Sequence, residues 1–385
     1  MHIFTSVTAN YIPKARVLAR SVRKYHPEAR FHLLLSDTLP AWLGDGAADF
    51  DSIISITELP IPNRSAWTFK HRLVELCTAV KGFGFQEILR RHNPEKVIYL
   101  DPDIAVMSSL DSILENLDKS SILLTPHQTE PDSELRSIAD NEICSLKHGV
   151  YNLGFVAVRN SVEGRRFVDW WAHRLEHFCF DDIPNGLFTD QKWCDLAPAF
   201  FDDLKILREP IYNVCTWNLT HRRVSGTVPD GLLINGQPLC FYHFSGFDSG
   251  AQKIMLDLYG TDSPVLYPLR DWYVAQCAAM GQDEYGTTPC SYDFFSDGEP
   301  VTRSHRYVYR KNPSLEKRFP DPFDVSGLDS FRGWYDLHYR GVDVIPEVTN
   351  YQDLLNRYMA NLELLTLIRN SKSWRILKWL GIVNV

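Results

Sequence analysis

The sequence predicts an α/β protein with a mostly parallel sheet and helices on both faces. Three observations lead there. Short β-branched runs alternate with longer helical patterns over the first two thirds of the chain. At 385 residues the chain is long enough for one large α/β domain with appendages, or two domains. And the apolar run in "KVIYLDPDIAV", residues 96–106, halts at two carboxylates, as a strand does when its carboxyl end faces a ligand.

The elements follow in order. "HIFTSV" reads as the first strand and residues 11–26 as a helix. "RFHLLLSD" and "DSIISI" are further strands, and a long helix lies within 67–92. "KVIYLD", "SSILLTP" and "GVYNLGFVAVRN" continue the sheet, followed by a helix over 161–178. A helix opens near Thr189, and "KILREPIYNV" and "LCFYHFSGFDSG" are strand-like. Residues 1–281 are thus expected to form the main domain. Residues 282–350, rich in Gly, Pro, Asp, Arg and aromatics, read as an irregular extension packed on it, their aromatic density arguing against disorder.

Residues 351–385 read as two helices. Leu354, Leu355, Tyr358, Leu362, Leu365 and Ile368 make an apolar stripe. Arg369, Lys372, Arg375 and Lys378 recur every third residue beside Trp374 and Trp379, with no acid after Glu363. That is the pattern of an interfacial membrane helix, or of a helix docked on the protein itself.

Composition narrows the function. The net charge of −8 argues against gripping a polyanion, so nucleic acid is not an expected partner. Eight scattered cysteines without a CxxC pair read as reduced thiols rather than a disulfide framework or zinc site. The N-terminus lacks a signal-peptide pattern, and no apolar run approaches the ~20 residues that span a bilayer. The expected location is the cytoplasm, with peripheral contact at the cytoplasmic face of a membrane.

Asp101 and Asp103, one residue apart just past a strand, can both face a hard divalent cation, with diphosphate oxygens completing its shell. Pro102 stiffens the turn and keeps Asp101 extended. A solvated turn is the plain alternative for Asp-x-Asp; the flanking apolar runs favour the metal.

"YLDPDIAV" resembles the Asp-x-Asp segment of the GT-A-fold, nucleotide-sugar-dependent glycosyltransferases. More narrowly, residues 1–250 are similar to the retaining group (family 8-like) that includes glycogenin and the bacterial lipooligosaccharide galactosyltransferases. Several segments carry the likeness in order. "IFTSVTANYIPKARVLARSVRKYHP" resembles the opening strand and base-holding turn, which implies donor contacts from Thr5, Val7, Thr8, Asn10 and Tyr11, with Tyr11 stacking on a uracil. The family often has an acid where Thr8 stands. In "ELCTAVKGFGFQEIL", Lys81 is implied to reach the diphosphate, with a surface lysine the alternative. In "GVYNLGFVAVRN", Asn152 and Gly154 would lie beside the donor sugar. In "LFTDQKWCDLAP", Asp190 would accept bonds from sugar hydroxyls and Gln191 would lie near the anomeric carbon. "FYHFSGF" supplies His243 as a third metal ligand and Gly246 as a donor contact. Two carboxylates and one imidazole suit Mn²⁺ well and Mg²⁺ adequately. The family's lysine after this glycine is missing from "GFDSGAQK", which leaves that diphosphate contact unassigned.

The resemblance implies sugar transfer from a nucleoside diphosphate, UDP-linked, with retention of configuration. Retention could come from same-face attack or from a covalent adduct on Asp190 or Gln191. The acceptor implied is a glycan or lipid-linked oligosaccharide in bacterial surface polysaccharide synthesis. A nucleotidyltransferase, a metal-independent inverting transferase and a non-catalytic nucleotide-sugar-binding protein are the alternatives; the absence of a Gly-rich basic loop after the first strand weighs against the first.

Overall fold

A computed structural model of the chain describes residues 1–339 apart from 229, 249 and 328. The C-terminal segment 351–385, with its amphipathic and basic stripes, lies outside the described residues.

Strand β1 (His2–Val7) leads into helix α1 (Ile12–Tyr25), then β2 (Arg30–Leu35) and β3 (Ser52–Ser55). The single long helix expected within 67–92 is three: α2 (Arg64–Lys70), α3 (Leu73–Ala79) and α4 (Lys81–His92). The break comes at His71, whose backbone is extended (φ −101°, ψ 136°). Its ring hydrogen-bonds the Trp67 carbonyl at 2.8 Å, and its own carbonyl accepts from Arg306 at 2.7 Å. The backbone acceptors freed by the break are thus satisfied from outside the helix.

β4 (Lys96–Leu100), β5 (Ile104–Val106), α5 (Asp111–Lys119), β6 (Ile122–Pro126) and β7 (Tyr151–Arg159) follow. The seven-stranded sheet has the order Leu204–Ile206, β6, β7, β4, β1, β2, β3. Every pairing is parallel except those of β7, which runs against both β4 and β6. The expected class, a mostly parallel sheet covered by helices on both faces, is the observed one.

Period-2 alternation explains the covering. Along β4, Val97 and Tyr99 enter the core beneath α4 and the helix Val162–Phe178, while Ile98 and Leu100 enter the core beneath α1 and α5. Gly82 lets α4 press against the helix Val162–Phe178, since a Cβ there would lie 2.5 Å from the Ala172 Cα. That contact sets the height of Lys81, the first residue of α4, against the sheet.

The reversed strand matters most. Because β7 is antiparallel to β4, its first residues stand beside the carboxyl end of β4: Leu100 pairs with Phe155, and the Asp101 amide donates to the Gly154 carbonyl at 2.8 Å. One edge of the sheet therefore gathers residues that are 50 positions apart.

The region beyond 282 mixes short helices, at Arg303–Lys311, Pro313–Arg318 and Phe331–Tyr339, with irregular stretches. Gly and Pro punctuate these short helices rather than prevent them. Aromatic rings of this region, from helices and loops alike, surround Phe69 of α2, with Phe323, Tyr309, Phe331 and Phe295 at centroid distances of 4.9, 5.2, 5.2 and 5.9 Å. Such pairs contribute about 0.5–1.5 kcal/mol each beyond area burial. All eight cysteines are free. No helix among the described residues is long and apolar enough to cross a membrane.

Candidate active site

The short strand Phe241–His243 pairs antiparallel with β5, placing His243 opposite Ile104, and the Phe244 amide donates to the Asp103 carbonyl at 2.8 Å. This backbone ladder brings the histidine to the turn that carries the two aspartates, and buried Pro102 stiffens that turn. One ligand atom from each of Asp101, Asp103 and His243 lies within 4.8 Å of the others. His243 Nε2 is 3.1 Å from Asp103 Oδ1 and 3.8 Å from Asp101 Oδ2.

The surroundings orient these groups. Tyr99 donates to Asp101 Oδ1 at 2.6 Å, and Lys81 Nζ lies 3.3 Å from the same oxygen, which leaves Oδ2 turned toward His243. Asn213 Oδ1 sits 3.1 Å from His243 Nδ1 while its amide donates to Thr125 at 2.9 Å. Asn213 thus accepts from Nδ1–H and leaves Nε2 as the free ring nitrogen of a neutral imidazole, the form that binds metal. Gly154 makes room for the ring: a Cβ there would lie 2.5 Å from His243 Cε1. Two carboxylate oxygens and one imidazole nitrogen on one point fit a divalent cation such as Mn²⁺ or Mg²⁺.

Charge is arranged to match. Burial works against protonating His243, but the adjacent Asp103 outweighs it and raises the pKa above the usual 6.5. Burial would raise the Asp103 carboxyl, and His243 reverses that and lowers it.

Lys81 differs from its expected role. It is 3% exposed; its ammonium donates to the Leu153 carbonyl at 3.0 Å and ion-pairs with Asp190 Oδ2 at 2.9 Å, besides its approach to Asp101. Its charge faces the two carboxylates of Asp190 and Asp101. Asp190, also 3% exposed, takes a further bond from Thr189 at 3.1 Å. Burial pushes its carboxyl up against the pull of Lys81, and Asp101 adds to the rise. Asp190 follows a left-handed Thr189 (φ 44°), with a 3₁₀ turn at Lys192–Leu196 rather than a helix opening at 189.

These groups line a cleft of about 550 Å³ with Asn152, Leu153, Gly154, Gln191, His127 and Trp217. The Asn152 carboxamide oxygen accepts from the Gly154 amide at 2.8 Å, and Gln191 spans from the Leu153 amide to the His148 carbonyl. Gly246 turns the chain just beyond His243 with φ 75°.

The opening-strand residues stand apart. Thr5 and Val7 are buried within β1, Val7 in the hydrophobic core, so neither side chain reaches the cleft. Thr8 donates to Asn10 at 2.7 Å, and the Tyr11 hydroxyl donates to Asp248 at 3.2 Å. Lys14, unassigned from the sequence, is 1% exposed, lies 3.4 Å over the Tyr11 ring and ion-pairs with Asp248, which is 43% exposed. It is close enough to help lower the Asp103 carboxyl. The sequence signal for Lys14 is its place one turn beyond the Asn-Tyr turn; Tyr99, Asn213 and Trp217 carry no comparable local pattern.

No family model matches the chain. It is 30% identical over 177 residues to the uncharacterized protein YfnF of Bacillus subtilis (strain 168), a match covering 45% of this chain and 57% of YfnF. To YfnD of the same organism, also uncharacterized, it is 23% identical over 256 residues, covering 66% of this chain and 79% of YfnD. Among solved structures it is similar to the galactosyltransferase LgtC in complex with donor and acceptor sugar analogs, with 17% identity and a TM-score of 0.44 over 68% of this chain and 96% of that one. It is also similar to the glycosyltransferase GlyE of Streptococcus pneumoniae TIGR4, with 15% identity and a TM-score of 0.41 over 76% and 66% of the respective chains.

Proposed function

We propose that the chain is a metal-dependent glycosyltransferase that moves a sugar from a nucleoside-diphosphate donor, UDP-linked, to a glycan or lipid-linked oligosaccharide acceptor, with retention. The observation that carries this reading is the convergence of Asp101, Asp103 and His243 at the edge of a deep cleft, on the carboxyl side of β4.

A divalent cation held there supplies charge neutralisation for a departing diphosphate. The protein's own groups do the rest. Asp101 Oδ2, Asp103 and His243 Nε2 hold the cation, with Tyr99, Lys81 and Asn213 fixing their directions. Lys14, a buried cation near Asp103, is the group best placed to meet a diphosphate oxygen where the family's lysine is missing, releasing Asp248 as it does. Tyr11 packs beside the nucleoside, next to Thr8 and Asn10. Asn152, Asp190 and Gln191 face the donor sugar, and Trp217 offers an apolar ring to the acceptor side of the cleft. Lys81 serves as a positioning residue, holding Asp190 ionised and Asp101 oriented.

The acceptor class and a role in bacterial surface polysaccharide synthesis rest on the basic, tryptophan-bearing residues 369–385. Their removal should release the protein from membrane fractions; unchanged partitioning ends the membrane part of the proposal. Donor hydrolysis tests the whole. With Mn²⁺ and a panel of sugar nucleotides the chain should release nucleoside diphosphate, and Asp103→Ala should abolish release. Activity undiminished in chelator, or in Asp103→Ala, would overturn the assignment.

A further inference from the structure

The geometry points to a second metal site, made by His2, His32 and His92 and suited to a transition-metal dication such as Zn²⁺, at the far end of α4 from the carboxylate cleft. Each residue comes from a different element: the start of β1, the third residue of β2 and the last residue of α4. One ring nitrogen from each lies within 4.8 Å of the others. His2 Nδ1 and His32 Nε2 are already 2.8 Å apart, and the three rings lie 4.9–5.0 Å apart by centroid.

Sheet geometry explains the grouping. His2 and Phe4 point to one face of β1, and His32 and Leu34 point to the same face of β2, the face on which α4 packs through Phe85, Ile88 and Leu89. The helix therefore delivers His92 over the two strand histidines. Since α4 has 12 residues, it spans about 18 Å, which separates this cluster from Lys81 and the cleft.

The chemistry suits a borderline cation. Three imidazoles without a carboxylate disfavour Mg²⁺ and Ca²⁺ and favour Zn²⁺ and its neighbours. The Ser52 hydroxyl, 2.7 Å from His32 Nδ1, fixes that ring with Nε2 toward the centre, as partners of metal-binding histidines do. His2 and His32 are neutral, the binding form, because burial and mutual repulsion resist their protonation. Of the nearby cations, the amino terminus and Arg30, the latter is engaged by Asp51 at 2.9 Å. A tetrahedral zinc with nitrogens at about 2.1 Å spaces its ligands roughly 3.4 Å apart. Exposed His92 can close to that distance, with water taking the fourth position on its solvent side.

The test uses the full chain without an oligohistidine tag and is independent of sugar transfer. Zn²⁺ binding is measured by titration calorimetry and by the shift in unfolding temperature, in the parent, in Asp103→Asn and in His92→Ala. The proposal expects Asp103→Asn to keep one zinc per chain and its thermal shift, and His92→Ala to lose at least tenfold in affinity along with the shift. Equal zinc affinity in His92→Ala and the parent, or no zinc bound by Asp103→Asn, would overturn it. His92→Gln, polar at the same exposed helix end, replaces His92→Ala should circular dichroism show that variant unfolded.

Discussion

Gly154→Ala probes the metal site without altering any ligand. A methyl at this position of β7 would lie 2.5 Å from His243 Cε1 and 2.9 Å from both His243 Nδ1 and the Asn152 carboxamide oxygen. Ordinary contacts begin near 3.4 Å, so the ring must retreat by about 0.9 Å. Metal-binding side chains must hold position to within ~0.5 Å, and misplacement on the order of 1 Å costs roughly a hundredfold in function. Overpacking of this kind costs about 1–3 kcal/mol in stability. Gly154→Ala should therefore fold, lose a few degrees in unfolding temperature and bind Mn²⁺ 10–100-fold more weakly, the range typical of disturbed ligand support. Gly84→Ala is the control: its methyl would meet the Phe4 ring at 2.7 Å and Leu34 at 2.9 Å, so it should destabilise the chain and leave Mn²⁺ affinity unchanged. Calorimetric titration with Mn²⁺ decides. Parental affinity in Gly154→Ala would show that His243 is not held by this contact and is not a ligand.

Other perturbations separate the remaining groups. Lys81→Met strands a buried Asp190 and should cost on the order of 3–5 kcal/mol in urea unfolding, with part of the loss recovered in Lys81→Met/Asp190→Asn; no recovery would mean that the pair is not the source of the cost. Lys14→Gln should weaken nucleoside-diphosphate binding about tenfold, as loss of one charge-assisted bond does, while Asp248→Asn should strengthen it; if both variants bind like the parent, Lys14 does not meet phosphate. The raised pKa of His243 carries a definite sign. Its pairing with Asp103 stabilises the metal-free fold in full below about 6.5 and is lost as pH rises through the raised value. A metal must displace that proton, so Mn²⁺ should bind more weakly as pH falls below the raised value, and calorimetry in buffers of different ionisation enthalpy should detect a released proton. Binding with no proton release near pH 6.5 would exclude His243 from the coordination shell.

Much of the site was legible because its pieces are local. Asp101 and Asp103 announce themselves by interrupting apolar runs, and His243 ends another such run three residues before a glycine. The direction of β7 was not legible, because an apolar run carries no sign of its orientation; yet that direction is what sets Asn152 and Gly154 beside Asp101. Lys14 has only its place one turn beyond the Asn-Tyr turn to mark it in sequence, and its burial depends on Phe247 and Asp248, more than 230 residues on. Asn213 gains its place only through the bridge between Val214 and Tyr242. Thr5 and Val7 belong to a segment near the site, and strand alternation and tight packing turn both side chains into the protein. The helices after residue 300 were hidden by Gly and Pro, whose effect on helix length is local, while the aromatic cluster that stabilises them around Phe69 is assembled from three separated stretches.

The charges explain why the cation and the diphosphate belong together in this site. Lys81 is committed to Asp190 and to one oxygen of Asp101, and Lys14 to Asp248. That leaves the second oxygen of Asp101 and the Asp103 carboxylate facing one point beside His243 Nε2. A diphosphate arriving alone would place anionic oxygens against them, and two like charges at about 4 Å repel by roughly 4 kcal/mol near a protein surface. Lys14 offsets one such contact, once Asp248 gives way, but not two. Were a divalent cation bound there, Asp101, Asp103 and a neutral His243 would hold it, and the same point would become attractive to phosphate. On the proposed reading, the aspartate pair, the histidine and the buried lysines act as a unit whose charge is balanced when metal and nucleotide are both bound, which sets the cleft apart from a solvated turn at the end of a strand.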